Sequence, residues 1–372
     1  NFSTTLEVDT HQVYIVAVGT PLDLDLKPDM SALTDVLKEI SKVLHRGNHI
    51  MLRSTVPVGV TREIVVPYLE DKTGLKAGKD FYISFAPERT IEGNAMYELK
   101  TLPQVVGGYS SQCVKNAIEF WSTLTPTVVR VDTLEAAEMV KLANNTFRDL
   151  SFSFANELAL LADKYNVNSF DLINAANEGY PRNKIPLPSP GVGGYCLTKD
   201  PILFSCTSNG PRSDAVLGIS SRKINEKAAL YPIEMIKRYS NRMQVPLSNL
   251  NILIIGVAFK GIPETADIRG SVAIDVLNKL NGCVNNVFGW DAVIDSKNLK
   301  EIGFNILDDL DSIVDCVDVI LILNNHPNNA CSSIYIPTKN NRLVFDGWNQ
   351  IDRSEIEKTV GMTYATMGYV TP

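Results

Sequence analysis

A cysteine preceded by two glycines carries the sharpest chemical signal in the chain, in Pro190-Gly-Val-Gly-Gly-Tyr-Cys196-Leu-Thr-Lys199-Asp200. Glycines there permit close backbone approach to a ligand, while Lys199 and Asp200 set a cation and a carboxylate beside the sulfur. A nucleophilic thiol needs such surroundings, because the thiolate has to be favoured and water has to be activated afterwards. A structural cysteine in a turn is the competing account, and spacing alone favours it. A second group, Glu138, Lys141 and Asn145, has helical spacing, so that the Lys141 ammonium and the Asn145 amide share a face one turn apart. Together they could hold a developing oxyanion; a solvated Glu–Lys face is the plainer account, although a mid-helix Asn has poor propensity.

Three more groups follow apolar runs. Pro87-Glu88-Arg89-Thr90-Ile91-Glu92-Gly93 offers two carboxylates that could act as general base and cofactor contact, against a capped, solvated loop. Ser54-Thr55-Val56-Pro57-Val58-Gly59 could present hydroxyls, with a plain turn as the alternative. Gly256-Val-Ala-Phe259-Lys260-Gly261, followed by Asp267-Ile-Arg269-Gly-Ser271, brings a strand into a Gly-containing turn and then a helix, which suits an anionic ligand such as a diphosphate. No G-x-G-x-x-G fingerprint occurs anywhere in the chain.

The elements that must position these residues fall in three stretches. From 1 to 130, strands Gln12–Val18, His49–Arg53 and Phe81–Phe85 alternate with helices Ser31–His45, Thr61–Lys72 and Ser111–Leu124; Asp29 or Ser31 is placed to cap the first helix. Such alternation means parallel βαβ units. From 131 to 240 strands vanish. Apolar residues at helical spacing span Thr133–Asn166, longer than most globular helices, and a second helical pattern covers Ser213–Ser240 with a kink or boundary at Pro232. From 241 to 372 alternation resumes, with strands Asn251–Phe259, Val284–Trp290, Val317–Leu323 and Leu343–Asp346 and a helix at Ser271–Leu280. The expected fold is α/β: two doubly wound, Rossmann-like parallel-sheet domains joined by a helical middle domain whose long helix suggests a homodimer.

The chain has 372 residues, 45% of them hydrophobic and 21% charged, enough for two or three packed cores. A net charge of −7 with no basic run excludes a nucleic-acid partner, and no apolar run approaches the ~20 residues of a membrane span. Six cysteines without a C-x-x-C pair read as reduced thiols of a cytoplasmic protein, and four scattered histidines make a metal site improbable.

In this order, Gly19-Thr20-Pro21, Ser54–Gly59, Pro87–Gly93, Glu138–Asn145 with Phe154-Ala-Asn156-Glu157, Gly193–Asp200 and Phe259–Ser271 resemble the UDP-glucose/GDP-mannose dehydrogenase family over nearly the whole chain. The resemblance implies an NAD-dependent enzyme that oxidises the C6 alcohol of a UDP-sugar to the carboxylate in two hydride transfers. It makes Cys196 the nucleophile that captures the aldehyde, Lys141 and Asn145 the oxyanion donors, and Asp200 a group that helps position or activate water. Glu88 corresponds to the carboxylate tied to thioester hydrolysis, and Thr55 lies beside the nicotinamide. Thr20, Glu92, Lys199 and Arg269 match cofactor contacts; Arg89, Arg182, Gly193, Gly194 and Lys260 match substrate contacts. Pro87-Glu88-Arg89 and Tyr180-Pro181-Arg182 look more like the branch acting on UDP-N-acetylhexosamines. Departures are Thr198, where Pro is common, and Val272 after Ser271, where Pro is common. The family's opening phosphate loop and acidic ribose residue have no counterpart, because Asn1–Val18 resembles the approach to a later strand; ~80 residues of that first domain are expected to be absent, at ~30 per βαβ unit. Two further readings remain at this level: a non-catalytic nucleotide-sugar-binding protein, and a single-hydride dehydrogenase of the hydroxyacid type.

Overall fold

A computed structural model describes residues 12–208, 210–211, 215–306, 316–337 and 341–371. They divide into two compact units, Asn1–Phe147 with Lys199–Ile219, and Arg148–Thr198 with Ser220–Pro372. In the first unit, strands β1 (Val13–Val16), β2 (His49–Leu52), β3 (Tyr82–Phe85), β4 (Gln104–Gly108) and β5 (Val128–Arg130) form a sheet in that order. Helices α1 (Ser31–Val43), α2 (Val66–Thr73), α3 (Ala95–Thr101) and α4 (Ser111–Trp121) intervene. β2 is buried along its whole length, as a strand covered on both faces must be, and so shows no polar alternation. Leu33, Leu37, Ile40 and Val43 supply the buried stripe of α1 at spacings of three and four. Because β1, β2 and β3 run parallel, residues 17–20, 53–55 and 86–88 emerge at one edge of the sheet.

The chain continues through α5 (Leu134–Asp163), α6 (Ser169–Asn177), α7 (Tyr195–Phe204), the strand pair β6 (Cys206–Thr207) and β7 (Gly210–Pro211), then α8 (Val216–Ala229) and α9 (Tyr231–Met243). The second unit holds a sheet of β8 (Asn251–Ile255), β9 (Asn286–Trp290), β10 (Val319–Ile322), β11 (Arg342–Asp346), β12 (Met362–Thr366) and β13 (Tyr369–Val370), with helices α10 (Val272–Leu280), α11 (Ser296–Ile302) and α12 (Arg353–Lys358). Its order is β13-β12-β11-β10-β8-β9, parallel except at β13. The winding reverses between β8 and β10, so their carboxyl ends flank the crevice where such sheets take ligands.

The long helix is present, 30 residues in length. The second helical pattern is two helices that meet at Leu230, with Pro232 in the first turn of α9, where its missing N–H costs nothing; Ser213 lies outside the described residues. Several expectations need correction. Strands do occur between 131 and 240, as the short β6–β7 pair. β4 lies antiparallel to β3, so the chain reverses direction across the connection that holds α3. Neither Asp29 nor Ser31 is the N-cap of α1: Met30 occupies that position, and Asp29 accepts the N–H of Ser31, the first helical residue. Ser271 is the N-cap of α10 rather than its first residue.

The sheet of the first unit encloses a titratable group. His49 packs inside with a ring nitrogen 2.9 Å from the Ser84 hydroxyl, and burial pulls its imidazole down to about 4. A folded value below the unfolded one means stability that is complete above pH 6.5 and is lost as pH falls toward 4, by about 3 kcal/mol. Urea unfolding between pH 7 and 4 should show this loss, and His49→Gln should flatten it; an equally steep curve for the variant would exclude His49 as its source.

Candidate active site

In the first unit, the carboxyl edge of β1–β3 gathers several of the expected residues. The Thr20 hydroxyl donates to the Thr55 carbonyl, and both threonines are buried. Arg53, one residue beyond β2, donates to the Glu88 carboxylate and, at 2.9 Å, to Gln104 Oε1. Burial acts to raise the Glu88 carboxyl, but hydrogen bonds from Arg53 and from the Thr90 N–H outweigh it and hold the group below the usual range. Arg89 turns away and donates to the Pro103 carbonyl. Glu92 stands exposed on the loop after β3.

Glu138 has a different task from the one its spacing suggested. Its Oε2 accepts the Gly59 N–H at 2.6 Å, while Oε1 accepts the Thr61 N–H at 2.9 Å and the Thr61 hydroxyl at 2.5 Å. It therefore closes the amino end of the helical segment that begins with one π turn at Thr61–Val65 and continues as α2. Burial raises its carboxyl above the usual value. Farther along α5, the Asn145 amide donates to Asp200 Oδ2 at 2.6 Å, and Lys199 Nζ bonds Asp200 Oδ1 at 2.7 Å. Asp200 is fully buried and Lys199 nearly so. Half-buried Lys141 sits one turn before Asn145 and pairs with no carboxylate among the described residues.

The second unit presents the thiol. Cys196 is exposed in the first turn of α7, which begins at Tyr195 where the sequence suggested a turn. Asp200 lies one helical turn farther on. The glycines before Cys196 make a close approach, to protein. A Cβ on Gly193 would lie 2.4 Å from the Gly270 carbonyl oxygen, and one on Gly194 would lie 2.7 Å from the Phe259 ring. Gly194 also has φ +89°, a left-handed conformation that favours glycine. Two motifs some 65 positions apart thus interlock, and Arg269 reaches across to stack 5.2 Å from the centre of the Tyr195 ring while bound to Asp267.

The loop of glycines hangs from a polar network. Asp149 Oδ1 accepts from Arg222 Nη1 and from Asn225 Nδ2, each at 2.8 Å, and its Oδ2 accepts from the Ser221 hydroxyl at 2.6 Å. Arg222 Nη1 also donates to the Val192 carbonyl at 3.3 Å. Asn225 accepts from Asn156, whose Oδ1 receives the Ser189 N–H at 2.8 Å.

At the end of β8, the amides of Val257 and Ala258 are taken by Asp291 Oδ2 at 2.7 and 2.9 Å. These two amides are therefore not free to meet an anion, and the nearby Lys260 ammonium lies over the Phe259 ring. Arg182 is exposed and lies 5.4 Å from the centre of the Tyr180 ring.

Sequence reasoning passed over Arg53, Asp149, Arg222 and Asp291. Among the described residues no three His, Cys, Asp or Glu side chains are grouped to hold a metal ion, and no helix is long and apolar enough to cross a membrane.

Residues 1–125, 135–227 and 253–353 match, in turn, the NAD binding, central and UDP binding domains of the UDP-glucose/GDP-mannose dehydrogenase family. A UDP-N-acetyl-D-mannosamine dehydrogenase of Pyrococcus horikoshii is 33% identical over 358 residues, covering 96% of this chain and 81% of that one. The solved structure of a UDP-D-ManNAc dehydrogenase from the same organism matches with a TM-score of 0.85 at 31% identity, covering 96% of this chain and 81% of its own. That of an NDP-N-acetyl-D-galactosaminuronic acid dehydrogenase from Methanosarcina mazei matches with a TM-score of 0.79 at 27% identity, covering 96% and 78%.

Removal of the Glu138 carboxylate tests its capping role. Glu138→Ala leaves the Gly59 and Thr61 N–H groups without their acceptor and should lower unfolding stability by about 2 kcal/mol in a denaturant titration. An unchanged midpoint would remove this cap from the account.

Proposed function

The chain belongs to the UDP-glucose/GDP-mannose dehydrogenase family, and from that premise we propose that it oxidises the C6 alcohol of a UDP-N-acetylhexosamine to the uronic acid through Cys196. The observation that carries this reading is an exposed thiol at the start of α7, one turn before the buried Asp200 that holds the Asn145 amide.

Thr20 and Thr55, at the carboxyl ends of parallel strands, and Glu92 on the neighbouring loop fit a dinucleotide, since α/β sheets take such ligands at that edge. NAD, when bound, accepts a hydride in each of the two oxidations. The Cys196 sulfur adds to the C6 aldehyde left by the first oxidation, and the half-oxidised sugar stays attached as a thiohemiacetal. Lys141 and Asn145 stabilise its oxyanion. Loss of the second hydride and a proton leaves a thioester; water then cleaves the C–S bond, releasing the acid and restoring the thiol. Glu88 orients that water. Asp200, with both oxygens engaged, acts by holding Asn145 in place. Lys199, drawn onto Asp200, would serve as a cofactor contact, as would Arg269. Arg89, Arg182, Lys260 and the Gly193-Gly194 backbone contact the nucleotide sugar.

We place the N-acetylhexosamine preference in Pro87-Glu88-Arg89 and Tyr180-Pro181-Arg182, supported by relatives named for UDP-N-acetyl-D-mannosamine and an NDP-N-acetyl-D-galactosaminuronic acid. The proposed divisions are 1–130 for the cofactor, 131–240 for the helical centre and 241–372 for the UDP-sugar. Six free cysteines suit the cytoplasm.

A second copy of the chain is the proposed partner of α5. Phe147, Phe154 and Leu161 follow one another at seven-residue spacing and are 71%, 54% and 49% exposed, an apolar stripe that a symmetric dimer would cover. Light scattering at micromolar concentration should report a dimer and Phe154→Lys should shift it toward monomer; a monomeric parent protein would refute this assembly.

Turnover should yield two NADH per UDP-sugar. Cys196→Ala should form no acid yet bind UDP-sugar normally by calorimetry, and Lys141→Met should lower the rate by about 10²–10³. One NADH per substrate would point instead to the single-hydride reading, and UDP-sugar binding without NAD reduction to the non-catalytic one.

A further inference from the structure

We infer that Arg53 is a positioning residue for Glu88, its buried guanidinium fixing that carboxylate in one orientation for the water that cleaves the thioester. The inference rests on the role proposed above for Glu88 and adds the group that governs it.

The geometry leaves Arg53 little freedom. Its side chain is 7% exposed, and its guanidinium carbon lies 4.4 Å from the centre of the Trp121 ring. Nη1 donates to Gln104 Oε1 at 2.9 Å, and Gln104 is itself held, because its amide donates to the Pro87 and Val105 carbonyls at 3.2 and 2.8 Å. Nη2 is thereby aimed at Glu88 Oε2. The other carboxylate oxygen receives the Thr90 N–H at 2.8 Å. Both oxygens of Glu88 are anchored, one from β2 and one from its own loop, while the side chain remains 37% exposed and open to water. A planar fork suits this arrangement, since it spans Gln104 and Glu88 at once and stacks on an indole face, which an ammonium cannot do.

The charges around Glu88 make Arg53 decisive. From its own loop, Arg89 donates to the Pro103 carbonyl and Glu92 is exposed. From α3, Glu98 accepts the Ile91 N–H at 2.7 Å. From β4 comes neutral Gln104. Loss of Arg53 therefore leaves burial, which raises the carboxyl, opposed chiefly by the Thr90 N–H. The sign follows: without Arg53, Glu88 takes up a proton at higher pH, and the acid limb of the hydrolytic step moves upward.

The test measures kcat and KM across pH 5–9 for the enzyme and for Arg53→Met, Arg53→Lys and Glu88→Gln, with intact-mass detection of sugar bound to Cys196. Arg53→Met should move the acid limb up by about one pH unit and lower kcat by about 10- to 100-fold. KM for UDP-sugar should change little, and the covalent adduct should accumulate. Arg53→Lys, which keeps the charge and so covers the case of a misfolded Met variant, should lie between. An inactive Glu88→Gln beside Arg53 variants whose limb stays in place would overturn the inference alone. A fully active Glu88→Gln would overturn the role given to Glu88, and the inference with it.

Discussion

A carboxylate without exposed surface, Asp149, is the constraint on which the delivery of the thiol depends. Removing a charge from water costs several kcal/mol unless donors replace the lost hydration. Here the replacements come from Ser221, Arg222 and Asn225, three residues of one helix, α8. Two of them also bear on the loop ahead of Cys196: Arg222 holds the Val192 carbonyl, and Asn225 holds Asn156, which holds the Ser189 amide. The donors that satisfy this buried carboxylate thus also hold the loop, and the glycine contacts with Phe259 and Gly270 restrict it further.

The same device, a carboxylate taking backbone amides, recurs at several strand and helix ends. Glu138 takes the amides of Gly59 and Thr61, and Asp291 takes those of Val257 and Ala258. Asp346, at the end of β11, accepts the amides of Trp348 and Ile351, and burial pushes its carboxyl up to about 6. These six backbone amides are thus already satisfied by the protein's own carboxylates and are not free to hold an anion.

Much of this arrangement was legible in the chain. Apolar runs such as Asn-Ile-Leu-Ile-Ile at β8 marked buried strands, the spacing along α5 marked a helix of unusual length, and Pro232 marked a boundary. Strands such as Gln104–Gly108 were overlooked because their glycines weaken the pattern; Gly107 is there because α5 packs so closely that a Cβ would meet the Thr133 carbonyl at 2.2 Å. Side-chain partnerships were harder to see for a topological reason. Arg53 and Glu88 are 35 positions apart, and Asp149 and Arg222 are 73 apart, so nothing local marks them as pairs. Asp149 was hidden further because it shares its buried face of α5 with Thr146, Ser153 and Asn156, and a polar helix face reads as solvated.

The exposure of Cys196 carries a cost of its own. Cys113 and Cys206 are sealed within packed side chains, whereas the sulfur at the start of α7 is open to solvent. An accessible sulfur is also open to peroxide, which converts it first to a sulfenic acid that thiols can reverse and then to sulfinic acid that they cannot. On the proposed reading, a sugar attached to the sulfur would shield it, and an idle molecule would then be more open to oxidative loss than a working one.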